Sequence, residues 1–272
     1  MKKINLLILL LFNQISFGQE FQNDLQRAEE LPVKKSELKS ILKIEDAVYL
    51  TSFGETNLMA VREYQFSNGI LQSVKTYDSK KVLTSEENYF YDDNNELIKI
   101  TEFIPLDFIE KKHSETRIIT KKNKENQIVE IKFVDTSDDN VSRIKKFKPY
   151  WNKDSDYVLE ETSIIDYGEN INDKDATSKM KFTYKNGNKI LYQNLDTKNE
   201  ILYEYDTDGI LSKKEGKEFI DEKDAKGNII KRILNATMMV QSNFYKITYT
   251  DGTVSGDLNF DKTFFEKSKK KK

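Results

Sequence analysis

Asn-Gly and Asp-Gly pairs punctuate this chain, and they fall at the same phase of one recurring pattern. Asn68-Gly69, Asn186-Gly187, Asp208-Gly209 and Asp251-Gly252 each follow alternating aromatic or apolar residues and precede a second apolar run. Such pairs supply the positive φ angles that tight two-residue hairpin turns require. Alternation with a period of two then puts every second side chain on one face of a strand. Clear copies are Tyr64-Gln65-Phe66-Ser67-Asn68-Gly69-Ile70-Leu71, Phe182-Thr183-Tyr184-Lys185-Asn186-Gly187 and Tyr203-Glu204-Tyr205-Asp206-Thr207-Asp208-Gly209-Ile210-Leu211. Tyr89-Phe90-Tyr91-Asp92-Asp93-Asn94-Asn95-Glu96-Leu97 repeats the pattern with Asn95 in the glycine position, and weaker copies span 119–129, 150–158, 219–230 and 247–254. The copies are unevenly spaced, about 20 to 30 residues apart. The pattern predicts an all-β fold, an irregular meander of tandem antiparallel β-hairpins in an open sheet over residues 49–260.

The start of the chain reads differently. Lys2 and Lys3 precede an apolar run over residues 4–12, and small residues stand at Ser16 and Gly18. A basic start, a short apolar stretch and small residues before the cut are the three parts of a secretory signal peptide. Residues 1–18 are therefore expected to be removed, with cleavage between Gly18 and Gln19. The apolar run is too short for a membrane-spanning helix, which needs roughly 20 residues, and no later stretch reaches that length. The chain has no cysteine, so it offers neither a lipid-attachment thiol nor a disulfide. Export without cysteine fits a bacterial envelope protein, in the periplasm or at the cell surface.

Losing Lys2 and Lys3 leaves 42 of 44 basic residues against 46 acidic ones and moves the net charge from −2 to −4. That balance argues against a nucleic-acid partner. Residues 19–48 form an N-terminal segment with Phe21, Leu25 and Ala28 at helical spacing and a second short helical stretch near Ser36 to Leu42, expected to cover one end of the sheet. Residues 261–272 form a basic tail, read either as a solvated terminus or as a contact for acidic polymers or lipid head groups.

Tyr203-Glu204-Tyr205-Asp206-Thr207-Asp208-Gly209-Ile210-Leu211 resembles a YD repeat of the RHS-repeat type, whose unit reads Tyr-x-Tyr-Asp-x-x-Gly-x-Leu. Tyr89 and Tyr91 anchor a second close match, as Tyr203, Tyr205, Asp206, Gly209 and Leu211 anchor the first. The resemblance implies a long run of hairpins. No toxin-like domain follows the repeats, and the chain is too short for the closed shell of large family members.

The side chains give little chemistry. His113 is the lone histidine, and with no cysteine it supports neither a histidine-based triad nor a zinc site. Asp92-Asp93, Asp138-Asp139 and Glu160-Glu161 are carboxylate pairs, but neighbours on a strand point to opposite faces, whereas a glycosidase needs two carboxyls converging across a cleft. Asp206 and Asp208 resemble the opening of a calcium loop, although Lys217 stands where the distal acid would be, and a hairpin turn explains the same residues. No catalytic, metal or cofactor group is expected. The leading expectation is a non-enzymatic exported module that binds a protein or glycan through its sheet. A secreted polysaccharide hydrolase and an antitoxin-like or immunity-like partner of a secreted effector stand as alternatives.

Overall fold

The computed structural model describes residues 31–105, 113–135, 142–154, 156–166, 176–186, 188–235 and 239–269. The signal peptide, the Gly18/Gln19 cleavage site, the helical reading of residues 21–28 and the Asp138-Asp139 pair lie outside them. A 3-10 helix (Lys35–Ser40) precedes the strands. They run as β1 (Ile41–Ser52), β2 (Glu55–Ser67), β3 (Ile70–Asp78), β4 (Leu83–Tyr91), β5 (Leu97–Ile104), β6 (His113–Lys122), β7 (Ile128–Asp135), β8 (Ser142–Trp151) and β9 (Tyr157–Asp166). Then follow β10 (Ala176–Lys185), β11 (Asn188–Asn194), β12 (Glu200–Tyr205), β13 (Leu211–Lys214), β14 (Lys217–Lys223), β15 (Ile229–Asn235), β16 (Val240–Tyr249) and β17 (Val254–Gly256), with helix α1 (Lys262–Lys269) last.

From β1 to β16 each strand pairs with its successor, and β16 returns to pair antiparallel with β1, with Ile44 opposite Ile247 and Ala47 opposite Phe244. The hydrogen-bond order is thus a closed sixteen-strand antiparallel barrel, and β17 adds a short extra strand on β16. The expected open meander is corrected on this point. In a closed ladder neither β1 nor β16 presents a free edge, which an open sheet cannot avoid. The hairpin signals are local and carry no information about β1 meeting β16, a pairing between the two ends of the strand series.

Two kinds of turn recur among the hairpins. Asn68 and Gly69 have φ of 51° and 80°, and the Asn186 turn shares the left-handed start at 50°. The second kind begins with Asp78, Asp92, Asn123, Asn152, Asp206 or Asp224. In each, the side-chain Oδ1 accepts the amides two and four residues on, at 2.8–3.0 Å. The fourth residue of such a loop is left-handed at Lys81, Asn95, Asn126, Gly209 and Gly227. The aspartate of the YD-like motif is therefore a turn former, and asparagine serves equally because only the oxygen is used.

The chain forms two compact units. One holds Phe90–Thr101 and Ser114–Tyr203. Its core is Ile128, Ile131, Phe133, Phe147, Tyr157, Leu159 and Tyr184, with Tyr157 and Tyr184 rings 5.8 Å apart. The other holds Leu31–Tyr89, Glu102–His113 and Glu204–Lys272. It buries Ile44, Tyr64, Val74, Tyr89, Ile229, Tyr245 and Ile247. Tyr64 and Tyr89, the leading aromatics of two copies of the pattern, are thus core residues.

In the second unit, residues 31–40 pack against hairpin turns at one end of the strands. Leu31 and Val33 are buried, Pro32 O accepts Ile229 N at 2.7 Å, and Ser40 O accepts Thr250 N at 2.8 Å. A Cβ on Gly69 would come within 3.0 Å of Lys39 Cγ, so this turn glycine also admits the plug. Strand β1 begins at Ile41, directly after it. Residues 257–269 of the same unit lie along β1 and β16. Tyr49 donates to Leu258 O at 2.9 Å, and Phe260 packs 5.4–5.6 Å from the rings of Tyr49, Phe244 and Phe265. Asp261 caps the start of α1 through Phe264 N and takes an ion pair from Lys231 at 2.8 Å. The tail lysines Lys267 and Lys269 thus belong to a docked helix.

Candidate functional site

Ionised groups are expensive to bury unless paired, and the second unit's buried face carries several. Asp46 on β1 accepts Asn243 Nδ2 at 2.8 Å and lies 3.7 Å from Arg62 on β2. Burial, reinforced by the Asp46 carboxylate, holds the neighbouring Tyr245 phenol well above its ordinary range. Arg232 on β15 forms a two-pronged pair with Asp221 at 2.8 Å, donates to Leu211 O at 2.6 Å and stacks 4.2 Å from the Phe219 ring. Burial alone would lower the Arg232 pKa, and Asp221 more than restores it. Each charge is answered by a neighbouring strand, so this row ties β1, β2, β14, β15 and β16 together.

The first unit uses the same device. Glu161 on β9 is buried with Lys145 at 2.7 Å and Ser163 at 3.2 Å. Arg143, Arg117 and Lys145 surround the Phe133 ring at 4.3–5.8 Å, with Glu115 accepting from both arginines. Glu160, one residue from Glu161, faces the other way toward Tyr150 OH at 2.8 Å and Lys148 at 3.8 Å. This carboxylate pair is therefore splayed across the sheet. Asp92 is spent on its turn, and Asp93 is exposed.

The turn carrying Asp206 and Asp208 is equally committed. Asp206 Oδ1 holds two turn amides, its Oδ2 meets Lys223 at 3.0 Å, and Asp208 pairs with Lys34 at 3.2 Å. Burial would raise the Asp206 pKa, but the Ile210 amide and Lys223 hold it below the ordinary range. Tyr203 and Tyr205 are half-buried, Tyr203 lying 5.2 Å from Lys189 Nζ. Tyr91 is half-buried and its phenol is pushed up by burial, Gly209 supplies the left-handed turn, and Leu211 is buried. His113 opens β6.

On the face opposite the core, charges line up across neighbouring strands. Lys246, Glu45, Glu63, Lys75 and Glu86 are successive partners on β16, β1, β2, β3 and β4. One residue along, Ile247, Ile44, Tyr64, Val74 and Glu87 form the matching buried row. In the first unit Glu130, Lys146, Thr162 and Lys179 repeat the arrangement, as do Lys148, Glu160, Lys181, Gln193 and Glu200. The charged face also carries apolar residues that are buried, Ala47 and Phe244 on β1 and β16 and Val158 and Ile164 on β9.

No family profile and no curated protein sequence matches the chain. Among solved structures, the chain is similar to a porin-like protein from Bacteroides uniformis ATCC 8492. The two are 12% identical with a TM-score of 0.34, over 76% of this chain and 97% of the other. A second similarity, to a structure of TcdB2-TccC3-TEV, has 10% identity and a TM-score of 0.22, over 75% of this chain and 15% of that one. At those scores the barrel assignment stands on its own ladder of hydrogen bonds. The class defined by that ladder is a closed antiparallel β-barrel.

The YD-repeat or RHS-repeat membership is corrected accordingly. Its aromatic and turn signals describe hairpins, which any antiparallel barrel also contains, and no family profile supports it. The open-sheet module for a protein or glycan is corrected with it, together with the hydrolase and antitoxin-like alternatives, since the closed order offers no open sheet to bind through. The coarser location holds: the chain is exported, on the strength of its leader residues. Sequence reasoning missed the Asp46–Arg62 and Arg232–Asp221 pairs, because lone charges inside alternating runs read as solvent-facing. It also passed over Phe53-Gly54, which the search for Asn-Gly and Asp-Gly pairs skips.

Proposed function

We propose that this chain is a non-enzymatic barrel of the bacterial envelope that works in water, in the periplasm or at the cell surface. The observation that carries this reading is the set of cross-strand charged rows. A lipid-spanning barrel turns an apolar band outward, and each lysine at the bilayer midplane costs about 2–4 kcal/mol. Lys75, Lys146 and Lys181 lie mid-strand on the charged face. Those three alone would cost about as much as an entire folding stability of ~5–15 kcal/mol. In water the same rows are favourable, with Lys75–Glu86 at 3.5 Å and Lys246–Glu45 at 3.6 Å.

One observation favours a second reading, an outer-membrane channel: an even number of antiparallel strands closed by next-neighbour pairing is the connectivity of such barrels. Alkaline carbonate extraction of envelopes separates the two. The aqueous barrel leaves with the supernatant, whereas a spanning barrel stays in the pellet until detergent is added. Retention in the pellet would overturn the proposal.

A further inference from the structure

The β1–β2 hairpin carries a residue that its own turn disfavours. Phe53 and Gly54 form a two-residue turn with φ of 49° and 87°, closed by Ser52 opposite Glu55. Asn68, Asn186 and Glu215 occupy the equivalent position of the turns after β2, β10 and β13. Asparagine tolerates the left-handed region there, whereas a bulky residue is strained. Phe53 gains nothing back by packing, since it is fully exposed at 101%. The left-handed φ of a bulky residue costs stability, and Phe53 offsets none of it by packing.

On the β3 side the hairpin also projects, whereas β16 accompanies β1 almost to the turn. Pairing of β2 with β3 stops at Ala60 opposite Asp78, and pairing of β1 with β16 stops at Thr51 opposite Val240. Residues 55–59 therefore extend about 17 Å past the last β3 pair. The flanking hairpins add exposed apolar residues on the same end of the strands. Val82 closes the β3–β4 turn, Met239 leads into β16, and Met59 lies on the projecting arm, each about half exposed. With strands about 4.8 Å apart, the β1–β2 and β3–β4 hairpins are about 10 Å apart sideways, and with the stagger of about 17 Å their tips are about 20 Å apart. Lys80 and Lys81 sit exposed beside Val82, while Asp78 Oδ1 is already taken by the turn amides.

We propose that this end of the second unit docks on a lipid surface, with Phe53 inserted below the head groups and Lys80 and Lys81 meeting their phosphates. A protein partner needs a contiguous patch of about 800 Å² on each side. Separate apolar tips on projecting turns do not make one, but each can enter a bilayer interface on its own. The inference rests on the water-facing reading of the barrel and goes beyond it by naming what the barrel touches.

The test is co-sedimentation of the purified mature chain with phosphatidylethanolamine–phosphatidylglycerol vesicles. The chain is expected to bind, Phe53→Trp to retain binding, and Phe53→Gly to weaken it about tenfold or more, the scale of burying one aromatic ring. Phe53→Gly should at the same time raise the Tm by about 2–4 °C, because the turn is relieved. Wild-type protein that stays in the supernatant, or Phe53→Gly that binds as well as wild type, overturns the proposal. So does a Phe53-dependent dimer with no vesicle binding, which would make a second copy the occupant. A spanning barrel would instead resist carbonate with or without Phe53, so failure of the water-facing reading is seen separately.

Discussion

The two ends of the strands in the second unit contrast in how they are finished. At one, residues 31–40 are laid over the turns and their polar groups are matched: Asn228, fully buried, accepts Lys34 N at 3.1 Å and donates to Tyr249 OH at 2.9 Å. Tyr249 OH in turn donates to Asp224 Oδ2 at 2.6 Å, and Lys226 Nζ sits 3.4 Å over its ring. At the other, Phe53 stands strained and bare on a projecting arm. One end is tied down by buried hydrogen bonds, and the other carries local strain that packing does not offset. The difference separates residues kept for folding from residues that need another explanation.

Breaking the sealed end should have the largest effect. Asn228→Ala leaves Lys34 N without its acceptor and removes one of the hydrogen bonds to the Tyr249 hydroxyl, at about 2–3 kcal/mol. Thermal unfolding is expected to fall by roughly 5–10 °C. Leu31→Ala follows at about 2 kcal/mol, measured by denaturant midpoint, because the plug loses an apolar side chain buried against the turns. Tyr249→Phe should cost about 1–2 kcal/mol at neutral pH.

Tyr249→Phe also has a pH signature. Burial, helped by the Asp224 carboxylate, pushes the Tyr249 phenol up to about 12 from 10. Its stabilising contribution is present below pH 10 and lost as the pH rises toward 12. The alkaline loss of stability should therefore be smaller in the variant than in wild type.

The exposed end should respond in the opposite direction. Phe53→Gly stabilises by about 1 kcal/mol, read as a higher Tm. The smallest effect is expected at the docked tail. Lys231, with the Phe264 amide, holds Asp261 below the ordinary carboxylate range. A depressed acid contributes stability above its ordinary pKa and loses it as the pH falls through the lower, folded value. Proteolysis of the tail should quicken only under strong acid in wild type, and at neutral pH in Asp261→Asn.

Much of the local fold was legible. Asn68-Gly69 marked a turn because φ near 50° followed by 80° is a conformation few other pairs accept, and Tyr64 with Phe66 marked one buried face. Asp206 was visible as a loop former, although it looked like part of a family motif until Asp78, Asn123 and Asp224 showed the same use of Oδ1. The turn that mattered most, Phe53-Gly54, hid because its first residue breaks the rule used to find the others.

What the residues determined by themselves was the local contacts of most hairpin turns, along with the leader that marks export. Those contacts join neighbours a few positions apart, where turn geometry and alternation leave few options. Only the tertiary structure decided that β16 closes onto β1, that Asp46 and Arg232 turn inward to paired partners, and that the lysine rows fall on the face away from the core. Closure joins opposite ends of the chain, the face that a charge takes depends on what packs against it, and alternation is identical in an open sheet and a closed one until the last strand finds the first.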